Sequence, residues 1–359
     1  MPRPVLRFCV PILLAAIAQL LALADASANT ITIYPLPPTP GWCICPLIIA
    51  RGPDGNLWFT EDSGDFGNGA IANISPTTGT IQTYGLSTFD SGPVGITQGP
   101  NAGGTQILWF TEQNTNRIGT ITTAGSISEF SLSLSASQPR GIVFRSQDGD
   151  LWFTQTLANA PSTTTCTHHH CMTTTSTQTG YLGRITPSGA VTEFQIPNAN
   201  SRPFLITVGP DGNLWFTDEG TNSVGMMTPA GSVTEYPLPI GSQPHGITVG
   251  LDGNLWATET NGNQIARITT SGAITQFSAP GGPAGITATS TALWFTQVGN
   301  STTLPAISEM TTSGSISTFP LTSSLTAASP NPQGMTLGPD GNLWFTEQAA
   351  GAVGVITSS

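Results

Sequence analysis

The chain has 359 residues with twenty acidic and nine basic side chains, no lysine, and a net charge of −11. That balance excludes a nucleic acid or an anionic membrane surface as a partner held by charge, since both require a cationic face; it suits a cationic or metal-bridged ligand. With 41 glycines, 29 prolines and only 8% charged residues, the chain has many tight turns and few helix-favouring stretches, which excludes a mainly helical fold and predicts an all-β one.

Residues 1–28 read as a signal peptide. Arg3 and Arg7 form a basic start, Phe8 to Leu23 an apolar run, and Ala26-Ser27-Ala28 a small-residue cleavage site. The run is shorter than the roughly 20 apolar residues a membrane-spanning helix needs, and no second one follows. The expectation is a mature protein exported to the periplasm or beyond, without stable membrane insertion. Without residues 1–28, seven basic and nineteen acidic residues remain, a net of −12. Cys9 leaves with the leader, and the remaining Cys43, Cys45, Cys166 and Cys171 are an even number, which in an oxidising compartment favours disulfides. Their connectivity stays open.

Residues 29–359 are organised by one repeated segment, best seen in Gly209-Pro-Asp-Gly-Asn-Leu-Trp-Phe-Thr-Asp218. Its tryptophan recurs as Trp58, Trp109, Trp152, Trp215, Trp256, Trp294 and Trp344. One aromatic anchor per unit, repeating near every 40 residues, marks the blades of a propeller. In the unit around Trp256 the apolar alternation predicts strands at His245–Val249, Asn254–Thr258, Gln264–Ile268 and Ala273–Phe277. Asp252-Gly253 is a hairpin signal, repeated at Asp54, Asp148, Asp211 and Asp340 but absent from the second and sixth units, whose first hairpins should differ. Tryptophan and phenylalanine alternate faces of one strand and should pack between neighbouring sheets.

The seventh unit stops after a third strand at Val353–Thr357, while Thr30-Ile-Thr-Ile-Tyr-Pro-Leu-Pro37 matches the fourth-strand segment Ser232-Val-Thr-Glu-Tyr-Pro-Leu-Pro239. The chain is therefore expected to form a single seven-bladed β-propeller domain, four strands per blade, closed by its N-terminal strand pairing beside the C-terminal one. A closed ring needs no partner to cover its edges, so a monomer is expected. The third blade carries a Thr-rich insertion over 155–180, with Cys166-Thr-His-His-His-Cys171. That cluster suits either a transition metal or a cystine-closed surface loop.

Chemistry is expected at the channel mouth, where the first strand of each blade begins beside the end of the second. A Pro-x-Gly-like opening places Leu47, Val94, Arg140, Phe204, His245, Ala284 and Gln333 there. The second strands end at Glu61, Glu112, Gln155, Asp218, Glu259, Gln297 and Glu347, so five of fourteen positions are carboxylates in a chain poor in charge. Only the fifth blade pairs a histidine with a carboxylate, His245 with Glu259. An imidazole beside a carboxylate can act as a general base, and the carboxylate can hold a divalent cation. Channel hydrogen bonding and turn capping are the non-catalytic readings of the same residues.

The Pro-x-Gly-Ile-Thr, Gly-Pro-Asp-Gly-Asn-Leu-Trp-Phe-Thr-Glu and Asn-x-Ile-Gly-x-Ile-Thr pattern over nearly all of residues 30–359 resembles the virginiamycin B lyase (streptogramin B lyase) family. The resemblance implies seven blades and a carbon–oxygen lyase that opens cyclic depsipeptides by Mg²⁺-dependent elimination at a threonyl ester. It implies His245, in Gln243-Pro244-His245-Gly246, as the general base and Glu259 as a metal ligand. The family's other metal-binding glutamate is replaced by Gln243, and its second histidine falls at or near Phe204. An amide is a poorer Mg²⁺ ligand than a carboxylate. Two functions of different kinds follow: a divergent metal-dependent lyase for cyclic esters, or an exported propeller that binds a small molecule or peptide without cutting it. A six-bladed lactone hydrolase is disfavoured by seven anchors.

Overall fold

In the computed structural model every Leu-Trp-Phe-Thr segment is the second strand of a four-stranded antiparallel sheet, and seven such sheets form the ring. The structure describes residues 29–37, 45–62, 67–158, 164–167, 170–173, 178–321 and 330–357. The expected leader, Cys43, His168 and His169 lie outside the described residues. Blade five comprises Pro244–Val249, Leu255–Glu259, Gln264–Ile268 and Ile274–Ser278, each within a residue of the span expected from apolar alternation. Blade seven is composite: Thr30–Pro35 pairs antiparallel with Ala352–Thr357, in register from Thr30 opposite Thr357 to Pro35 opposite Ala352. The insertion in blade three contains a separate hairpin, Thr164–Thr167 with His170–Thr173, which sets Cys166 opposite Cys171. No helix among the described residues is long and apolar enough to cross a membrane.

The Asp-Gly hairpin explains its own sequence. Asp252 accepts the backbone N–H of Asn254 at 3.2 Å and the indole N–H of Trp256 at 3.0 Å, while Gly253 takes φ = 71°. Asp54, Asp211 and Asp340 do the same for Trp58, Trp215 and Trp344. One carboxylate thus closes the turn and satisfies the single polar atom of a buried indole. Blade two lacks the aspartate; its turn is longer, and the Trp109 indole donates instead to the Pro100 carbonyl at 3.1 Å. Each of the seven anchor tryptophans stacks on the aromatic of its own outer strand, as Trp256 does on Phe277 with ring centroids 5.4 Å apart.

Strand alternation then fills the clefts between blades. Trp58 packs with Ile96, Leu108 and Phe110 of blade two, whereas Phe59 on the opposite face packs with Trp344 and Val353 of blade seven. An apolar cluster of this kind occupies each of the seven clefts.

The threonine that ends each of these segments (Leu-Trp-Ala-Thr in blade five) adds a polar belt on the channel side. Thr258 Oγ1 accepts the N–H of Gly246 in its own blade at 2.8 Å and donates to the Ala284 carbonyl of the next blade at 2.6 Å. The same link runs from Thr60, Thr111, Thr154, Thr217, Thr296 and Thr346 to the carbonyls of Val94, Arg140, Phe204, His245, Gln333 and Leu47. The blades approach so closely here that a Cβ on Gly285 would lie 2.0 Å from the Gln333 carbonyl oxygen, which explains the glycine of Pro-x-Gly. Thr258→Val preserves shape but strands one buried donor and one buried acceptor, so a loss of about 2–4 kcal/mol is expected in urea unfolding. An unchanged midpoint would reduce the belt to space filling.

Candidate functional site

The mouth is built by a bulge repeated in every blade. In blade five the ladder pairs Pro244 with Glu259, then resumes at Ile247 with Ala257, leaving His245 and Gly246 out of register. The displaced backbone is satisfied by the threonine belt: the His245 carbonyl accepts from Thr217 Oγ1 of blade four at 2.8 Å. A bulge re-aims side chains, and the residues so placed on successive blades meet. The Phe204 and His245 rings are 4.3 Å apart and inclined at 44°, and the Arg140 guanidinium carbon lies 5.5 Å from the Phe204 centroid. Arg140, Phe204 and His245, from blades three, four and five, therefore form one continuous patch.

Glu219 joins this patch. Its Oε2 accepts from Arg140 Nη1 at 3.3 Å and from Arg202 Nη2 at 2.6 Å, so one carboxylate is shared by two guanidiniums from adjacent blades. His245 is held below its ordinary pKa chiefly by burial; Glu219 pulls the other way, Arg140 adds to the depression, and a hydrogen bond with the Ala284 backbone opposes it. Its Nδ1 is buried without a partner. The imidazole is thus neutral at physiological pH and has a nitrogen free to accept a proton.

The acidic row lies elsewhere than the open mouth. Glu61, Glu112, Asp218, Glu259 and Glu347 are all 0–4% exposed, set between blades. Asp218 accepts from the Ser201 hydroxyl and from the N–H groups of Arg202, Gly220 and Thr221, which makes it a turn cap. Glu112 accepts from Thr115 at 2.7 Å, and Glu259 from Gln276 at 2.7 Å. Gln333 donates to Asn331 at 3.0 Å. The physical reason is alternation along the strand. The acid adjoins the threonine and so faces the other way; the next residue shares the threonine's face. The mouth's second row is therefore Glu219, Thr260 and Gln348 with their equivalents. Glu219 and Arg202 were missed in the sequence reading, although counting two residues on from Thr217 finds the first. The charged groups acting on His245 are Glu219 and Arg140 rather than Glu259.

Glu259 retains one feature of a cation ligand. Its Oε2 is buried and without a partner. A Cβ at Gly262 would lie 3.2 Å from that oxygen and 3.3 Å from the Ser242 Cα, so the glycine leaves a small recess between Glu259 and the segment carrying Gln243. Gln243 takes φ = 49°, a left-handed conformation that Gly92 and Gly282 adopt at the same place in blades two and six. A non-glycine residue in that region costs of order 1 kcal/mol. One free carboxylate oxygen is short of the roughly six oxygens that a hard divalent cation takes. No group of three or more histidine, cysteine, aspartate or glutamate side chains comes together around a metal position among the described residues.

A closed seven-bladed ring with a neutral histidine, a shared carboxylate and two arginines at one mouth defines a propeller with a candidate ligand site at that mouth. The chain belongs to the virginiamycin B lyase family, whose profile matches residues 24–169 and 157–359. It is 32% identical over 183 residues to a virginiamycin B lyase of Nocardia farcinica (strain IFM 10152), a match covering 46% of this chain and 59% of that relative. A solved streptogramin B lyase superposes with a TM-score of 0.75 at 30% identity, covering 94% of this chain and all of the other. A catalytically inactive histidine-to-alanine variant of the virginiamycin B lyase from Staphylococcus aureus with quinupristin gives 0.75 at 32% identity, covering 92% of this chain and all of that one.

Proposed function

We propose that the protein is an exported carbon–oxygen lyase that opens cyclic esters of the depsipeptide type, with His245 as the general base. The observation that carries this reading is the buried, unpartnered Nδ1 of a neutral His245 at the mouth. The family membership supports it, as does the solved relative that is inactive when a histidine is replaced. In the proposed step the His245 imidazole removes the proton from the carbon next to the ester-bearing one. The C–H pair becomes a C=C bond, and the C–O pair leaves on the ester oxygen as a carboxylate. Glu259 and Gln243 are the positions the family pattern offers to a Mg²⁺ ion, but Glu259 is 1% exposed and faces away from the mouth, so the proposed elimination rests on His245. Phe204 packs against His245 and fixes the imidazole plane.

The expected result is that His245→Ala lowers linearisation of a streptogramin B-type depsipeptide, followed by mass spectrometry, by about 10²–10⁴-fold. The kcat/KM profile should show an acid limb below the ordinary histidine range, because a depressed pKa keeps the base free until lower pH. Equal rates for the variant and the parent would sink the lyase reading. A second reading, a propeller that binds without cutting, is favoured by Phe204 and Gln243 standing where the family's second histidine and second carboxylate are expected. Ligand retention by His245→Ala with no turnover by either protein would establish it.

A further inference from the structure

Outside residues 1–28 the chain has seven basic residues, and two of them, Arg140 and Arg202, converge on one carboxylate beside His245. Glu219 can neutralise only one of the two guanidiniums. The neighbouring Asp218 faces the other side of its strand, where a hydroxyl and three backbone N–H groups occupy it. Each guanidinium carries five N–H donors, yet only one nitrogen of each is engaged, both by Glu219 Oε2. Nε of Arg140, Nε of Arg202 and Nδ1 of His245 are all buried without partners. The Arg140 side chain is 16% exposed and that of Arg202 36%, so the two heads border open space. Phe204 fixes the spacing by packing between Arg140 and His245.

We propose that Arg140 and Arg202 form an anion subsite that receives the carboxylate expelled in the elimination step, giving this chain a cationic device for leaving-group charge. The assignment rests on the lyase reading for its role in turnover, but the subsite itself is a binding property. As the His245 imidazole takes the proton and the C–O bond breaks, a full negative charge appears on the ester oxygens. A paired guanidinium edge matches a planar carboxylate with two parallel N–H···O bonds. Glu219 is a positioning residue: it holds the two arginines together and competes with the incoming anion for the same N–H groups.

The experiment titrates the mature full-length protein with trifluoroacetate, followed by ¹⁹F line broadening, with inorganic phosphate as competitor. Carboxylate binding is expected to weaken about tenfold in Arg140→Met and in Arg202→Met, since each removes one charged fork. Arg140→Lys, which keeps the charge and loses the fork, should fall between. Glu219→Gln should bind several-fold tighter, an effect that a purely structural arginine–glutamate bridge would not produce. Phosphate displacing trifluoroacetate only weakly marks a planar carboxylate site, whereas strong displacement would assign the cluster to tetrahedral anions and overturn its leaving-group role. No broadening in tens of millimolar trifluoroacetate, or broadening unchanged in Arg140→Met and Arg140→Lys proteins with parental melting curves, overturns the subsite. Turnover that requires His245 but is indifferent to Arg140 would overturn its catalytic role and leave the lyase reading standing. Arginine-dependent binding without turnover would do the reverse.

Discussion

Removing residues 29–37 from the mature chain is expected to abolish cooperative folding of the whole ring. Thr30–Pro35 supplies the fourth strand of blade seven through six paired positions, and the Leu36 N–H reaches the Gly351 carbonyl at 2.9 Å. Tyr34 stacks on Trp344 with centroids 5.7 Å apart, and Ile31 and Ile33 pack on the cluster between blades six and seven. Full burial of a large apolar side chain contributes about 1.5–3 kcal/mol; with Leu36 buried and Ile31, Ile33 and Tyr34 partly so, the segment accounts for a sum near the lower end of the roughly 5–15 kcal/mol stability typical of a domain. The truncation also bares the Ala352–Thr357 strand, an edge ready to pair with other chains. Size-exclusion chromatography should show aggregate, and heating should give no sharp transition. A monomeric truncation melting within a few degrees of the parent would show that blade seven closes on three strands.

Stability is expected to fall as pH rises through the weakly acidic range. Burial raises the carboxyls of Glu61, Glu112 and Glu347 from 4.5 to about 7; at Glu112 the neighbouring Glu129 adds to the rise, while Thr115 and Arg117 oppose it. A folded-state pKa above the unfolded one means that the folded protein binds more protons between 4.5 and about 7. The stabilisation is complete below the lower value and lost as pH rises through the upper one. Each group contributes on the order of 1–3 kcal/mol. His245 works in the opposite sense: its depressed pKa gives stability that is present above the ordinary histidine value and lost as pH falls. Three carboxyls outweigh one imidazole, so urea midpoints should be higher near about pH 5.5 than near about pH 8. A triple replacement of Glu61, Glu112 and Glu347 by glutamine should flatten the profile. Parental stability equal or greater at the alkaline end would show these carboxylates to be solvated.

The blade count and the seam were legible because both rest on local signals. Seven tryptophan anchors mark seven second strands, and the likeness of Thr30–Pro37 to Ser232–Pro239 reveals a fourth strand placed at the wrong end of the chain. The arginine–glutamate–histidine patch was only half legible. His245 and Arg140 were found from the Pro-x-Gly opening, but the acidic partner of His245 was expected at Glu259, and blade four's mouth residue was taken one position early, at Asp218 in place of Glu219. A side-chain period of two makes a single step enough to move a charge from the mouth into a cleft. Arg202 carried no motif; it matters because the ring brings blade three against blade four and lets Arg140 reach the same carboxylate. Such a meeting depends on curvature between sheets, which local patterning does not encode.

The threonine belt also says where the ring would first come apart. Six of its links join residues 26–50 positions apart, but Thr346 to Leu47 spans 299, although its 2.6 Å geometry matches the rest. Closing so long a loop carries the greatest entropic cost, so this joint should form last in folding and breathe most often in the native state. Blades three to five, with Arg140, Glu219 and His245, lie across the ring from it. Transient parting of the ends would relieve stress far from the mouth, much as an expansion gap in a steel hoop spares the fittings opposite.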